Sequence, residues 1–70
     1  MEGLHLAIKT AGSQKKLAEQ LKVSQQYISN CVQRGYFPIA RAIEIEEKLG
    51  INRLKLIDQR IVKAIAAESQ

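Results

Sequence analysis

Leu4, Ile8 and Ala11 recur at helical spacing, and Gly12 closes that first segment. Ser13 is placed to cap a second, short helix of about residues 14–21. In it Leu17, Ala18 and Leu21 turn inward while Lys15, Lys16, Glu19 and Gln20 turn out. Lys22 and Val23 read as a turn, and Ser24 as the N-cap of a third helix running from Gln25 to about Gln33 and stopping near Gly35. Tyr36 and Phe37 precede Pro38, which suits the first turn of a fourth helix ending at Gly50. That helix carries a wide apolar surface of Ile39, Ala42, Ile43, Ile45 and Leu49. Asn52 can cap a last helical region in which Ile57, Ile61 and Ile65 repeat at i, i+4, i+8 with Leu54 one turn earlier. Asp58 is the candidate for a break there. Period-two alternation of β-branched and aromatic residues is absent, so the pattern predicts an all-α chain of five helices.

The third helix stands apart because its polar side is uncharged. At about 100° per residue, Gln25, Ser29, Gln33, Gln26 and Asn30 share an arc of roughly 140°. Val32, Ile28, Cys31 and Tyr27 occupy the opposite side. An amide side chain donates and accepts together, which matches N6 and N7 of adenine in the major groove, and a serine hydroxyl serves either way. Phosphates call instead for cations, and Lys15, Lys16, Lys22 and Arg34 lie near in the chain. Solvated polar helix faces are common, so the face acquires meaning only with its surroundings.

Those surroundings favour a polyanionic partner. The 70 residues carry a formal charge of +4, with 46% hydrophobic and 26% charged residues, a globular composition for one small domain. Many small soluble proteins are equally basic, so the charge adds only modest weight. Cys31 is the single cysteine. It has no disulfide partner and no ligand spacing for zinc, which fits a small buried core residue in a reducing cytoplasm. His5 has no supporting cluster for metal binding or catalysis. The opening MEGLHLAIKTAG lacks the long apolar run of a signal peptide, and no segment is long enough to span a bilayer. With no acid–base pair, metal cluster or phosphate loop, an enzyme is not expected, nor is a cofactor. Tyr36 and Phe37 read as a core plug, Tyr27 as half-buried with its hydroxyl toward a phosphate, and Glu46 as a structural acceptor for a nearby Arg or Lys.

QKKLAEQLKVSQQYISNCVQ, Gln14 to Gln33, resembles the helix-turn-helix of phage repressors and Cro proteins. Gln14 stands where that family often opens its first motif helix, Ala18 four residues on, and Val23 and Ile28 at the anchoring positions. GYFPIARAIEIEEKLG is similar to the fourth helix of small Cro-like and YdaS-like proteins at Pro38, Arg41, Ala42, Ile45, Glu46 and Gly50. The two stretches cover about half the chain. The resemblance implies a compact five-helix lambda-repressor-like bundle over residues 1–70, with the motif at about 14–33. It implies that Gln25, Gln26, Ser29 and Asn30 contact bases, and that Gln14, Lys15 and Lys16 hold phosphates. To these the residue reading adds Tyr27 and Arg34 as phosphate contacts. One position departs from the pattern: Lys22 stands where such turns commonly carry Gly. If it takes positive φ, the strain is on the order of 1 kcal/mol.

The expected function is that of a sequence-specific repressor of Cro type, cytoplasmic and acting on double-stranded operator DNA. The alternative is an antitoxin or antirepressor acting mainly through a protein partner. The stripe of Leu54, Ile57, Ile61 and Ile65 in region 51–67 has two readings, closing the monomer core or forming a homodimer seam, and a split role is expected. A two-fold pair would place its recognition helices about one DNA turn apart, roughly 34 Å, on a palindromic site.

Overall fold

A computed structural model describes residues 2–68. Its elements are α1 (Glu2–Ala11), α2 (Gln14–Leu21), α3 (Gln25–Arg34), α4 (Ile39–Leu49), a 3-10 turn (Arg53–Lys55) and α5 (Gln59–Glu68). The described residues are thus all-helical, in five α-helices folded into a compact bundle.

Local chemistry accounts for the boundaries. Ser13 Oγ accepts the Lys16 N–H at 3.1 Å and Ser24 Oγ accepts the Tyr27 N–H at 3.1 Å, so each motif helix has one of its orphan donors satisfied by a serine. Between the two helices Lys22 adopts φ 58°, ψ 42°, the left-handed region. Its N–H bonds Glu19 O at 3.2 Å, and the next N–H, of Val23, bonds Ala18 O at 3.0 Å. This is the paired closure with which glycine commonly ends a helix, here made with a lysine. Gly35 (φ 96°) closes α3 in the same left-handed region.

The core is drawn from every helix but the last. Leu4 and Ala7 of α1, Leu17, Ala18 and Leu21 of α2, and Ile28 and Cys31 of α3 meet Ala42 and Ile45 of α4. Phe37, Ile51, Leu56 and Ile57 close it from the connecting segments. Helix α1 packs on α2, α4 and the 3-10 turn; α4 packs also on α2 and that turn. Gly3 permits this approach, because a Cβ there would fall 2.1 Å from the Lys55 carbonyl oxygen. Phe37 N–H donates to Leu56 O at 2.7 Å, and Glu46 accepts both the backbone N–H (3.1 Å) and Nε (2.7 Å) of Arg53. The acceptor role expected of Glu46 and the burial expected of Phe37 and Cys31 are therefore seen.

The last region breaks at Asp58, as its sequence allows: the chain leaves the 3-10 turn, and Asp58 starts α5 by accepting the Arg60 N–H through Oδ1 at 2.9 Å. The interruption breaks the i, i+4, i+8 register of the stripe. Ile57 turns into the core with 4% of its surface exposed, while Leu54, Ile61 and Ile65 keep 46%, 53% and 54%. Ile39, expected on the apolar surface of α4, is 57% exposed. As the first residue of that helix it sits on the rim of an open groove of about 370 Å³, whose lining also includes Phe37, Pro38, Ile57 and Ile61.

Candidate nucleic-acid interface

Helix α3 packs chiefly on α2. Ile28 and Cys31 anchor it in the core, and Val23, Tyr27 and Val32 pack at the margin. This inward set fixes the helix's rotation, so the opposite side faces out as the wheel predicts. Gln25, Gln26, Asn30 and Gln33 are exposed, and Ser29 is half-buried.

The outward residues are organised by hydrogen bonds among themselves. Gln26 Nε2 donates to Asn30 Oδ1 at 3.0 Å, one helical turn away. The pair keeps Gln26 Oε1 as acceptor and Asn30 Nδ2 as donor, a complementary set presented by two side chains instead of one. Ser29 Oγ donates to Gln14 Oε1 at 2.9 Å across the α2–α3 junction. The first residue of α2 is thereby tied to the middle of α3, bringing together two site residues distant in the chain.

The cations divide into two kinds. Lys15 and Lys16 are exposed on the first turn of α2. Arg34 is folded back instead: its Nη2 lies 3.5 Å from Cys31 Sγ and its guanidinium 5.3 Å from the centre of the Tyr36 ring. The sequence reading left Arg41 and Glu44 out of the site. Arg41 sits 5.8 Å from the Tyr27 ring centre and donates from Nη1 to Glu44 Oε1 at 2.8 Å. Glu44 first, and Tyr27 after it, hold the guanidinium still more firmly protonated than usual. Lys48 Nζ lies 3.7 Å from Glu44 and donates to Gln20 O at 2.6 Å, linking α4 to the end of α2. The sequence signal for Arg41 was its place in the PIARAIEIEE stretch; its partner on α3 could be found only in the folded chain.

Among the described residues, no group of three or more His, Cys, Asp or Glu side chains is arranged to hold a metal ion. No described helix is long and apolar enough to cross a membrane. His5 is exposed on α1.

Fold and surface define a small helical domain of helix-turn-helix-like construction. The family model described as bacterial toxin YdaS matches residues 4–56, and the chain belongs to that family. Neither a curated protein nor a solved structure gives a match.

Proposed function

We propose that the protein is a sequence-specific binder of double-stranded DNA that represses transcription in the manner of Cro, reading the major groove with α3. The observation that carries this reading is the outward face of that helix, where Gln25, Gln26 and Asn30 stand exposed without a formal charge. The amides of Gln26 and Asn30, joined into a donor–acceptor set, offer groups that match the edge of adenine. The Lys15 and Lys16 side chains at the start of α2 supply the phosphate contacts that position such a helix, and the net charge of +4 adds long-range attraction. Binding would occlude a promoter without catalysis, cofactor or small-molecule ligand.

A second copy is the proposed protein partner. Leu54, Ile61 and Ile65 are exposed apolar residues, and Ile39 lies on the rim of the groove that Ile61 helps to line. The family's description as a toxin supports a second reading, in which the main partner is another protein and DNA is secondary. Selection of bound sites from random duplexes tests both. Enrichment of a palindrome with half-sites about one helical turn apart supports the repressor reading. Recovery of sequences no tighter than random duplex would remove it and favour the protein-partner reading.

A further inference from the structure

The proposed footprint has cations on one flank only. Along the α3 wheel the outward arc begins at Gln25 and Ser29 and ends at Asn30. Gln14 is bonded to Ser29, so α2 with Lys15 and Lys16 borders the first edge. A major groove is walled by two phosphate strands, and a positive group at the far edge would add contacts to the second. Arg34 is the next residue round the helix, about 40° beyond Asn30, and Tyr27 follows about 20° further on. Arg34 is turned onto Cys31 and Tyr36. Arg41 is the cation seated on Tyr27, half-exposed, with Glu44 as its carboxylate partner.

We propose that Arg41 binds phosphate on the second wall of the groove, and that Glu44 sets duplex affinity by competing with phosphate for its guanidinium. This rests on the DNA-binding reading above. Tyr27 serves as the platform: its ring keeps the planar guanidinium beside the recognition helix, so that exchanging Glu44 for a phosphate needs no large movement of α4. Phosphate can take over the fork geometry that the carboxylate occupies, since both accept from guanidinium N–H groups. A purely structural strap joining α4 to α3 would use the same contacts, but it would leave the ionic-strength dependence of DNA binding untouched.

The test measures affinity for a random-sequence duplex and for a selected duplex at 50 and 200 mM salt, with circular dichroism to verify folding. Each phosphate contact contributes a factor of about 3.5 to the affinity lost across that salt range. Arg41→Gln is expected to shrink the loss by about that factor on both duplexes. Glu44→Gln is expected to tighten both, and the gain should vanish in the Arg41→Gln, Glu44→Gln double variant. If Arg41→Gln lowers helicity, Arg41→Lys takes its place in both the single and the double variant, because it keeps the charge but loses the fork that phosphate and carboxylate share; in either form, failure of Glu44→Gln to tighten binding overturns the proposal. A gain that survives in a folded double variant also overturns it, since the effect would then belong to overall charge or to Lys48. Lys15→Ala is the control. If Lys15→Ala flattens the salt dependence and Arg41→Gln does not, the Arg41 proposal alone fails. If the unmodified protein binds no duplex, the DNA-binding reading fails and takes the proposal with it.

Discussion

Lys22 is the one non-glycine residue with positive φ among those described. A Cβ in the left-handed region crowds the following carbonyl, and nothing at this exposed site compensates through packing. Lys22→Gly should therefore raise stability by about 0.5–1 kcal/mol, the relief of strain outweighing the added freedom of the unfolded chain. Denaturant unfolding with an unchanged slope would check it, and a loss of stability would show that the aliphatic stem contributes. At the same scale, Gln26→Ala should remove about 1–3 kcal/mol of discrimination at particular base pairs while random-duplex affinity stays near its starting value. Equal losses on selected and random DNA would remove Gln26 from base reading. Capping was legible residue by residue, because Ser13 and Ser24 act on N–H groups three positions away. The Arg41–Tyr27 contact was not, since it joins residues on different helices and has no local signature.

At the scale of elements, helical periodicity located all five helices, and for α2 the expected span of 14–21 is the one observed. A break at Asp58 and a split role for the stripe are both expected from the sequence, but not which residues fall on which side. A register of every fourth residue holds only within one helix; the 3-10 turn and Asp58 reset it, so Ile57 parts from Leu54 and Ile61. The segment that performs this reset is held by Glu46. Its carboxyl lies below the ordinary glutamate range, chiefly because it accepts the Arg53 backbone N–H and then the Arg53 side chain. A group whose folded pKa is depressed contributes stability above its unfolded pKa and loses it as pH falls through the folded value. The unmodified protein should thus lose stability as the pH drops below about 4.3, and Glu46→Gln should flatten that part of the acid limb. Melting temperatures across the acid range, compared for the two proteins, provide the measurement. Parallel curves would show that Glu46 contributes nothing to the acid response.

For the whole molecule, the question is what α5 is for. Among the described residues its packing is light, through the 3-10 turn and through Val62 at the margin of the core, and a helix of ten residues is marginal in water without cover on its apolar face. On the proposed pairing, that cover comes from a second copy. Ile61→Lys should shift sedimentation toward the monomer and weaken binding to a palindromic duplex. Monomer stability should change by no more than about 0.5 kcal/mol, since the position is already open to solvent. An unchanged sedimentation coefficient would remove Ile61 from the interface. The candidate reading face was legible in outline from the wheel, because α3 is a single uninterrupted helix. The hydrogen bonds that join its residues depend on rotamers and on α2, which periodicity does not report.

One of those bonds has a consequence for the alphabet the helix can read. Ser29 spends its only hydrogen on Gln14, so toward a base it retains lone pairs and nothing to give. In the proposed complex it becomes a one-way reader, able to meet the amino group of adenine or cytosine but not the bare carbonyl edge of guanine or thymine. A residue that looks indifferent in sequence is thus given a polarity by its neighbour on another helix. Replacing Gln14 would then relax the base choice at a position Gln14 itself never touches.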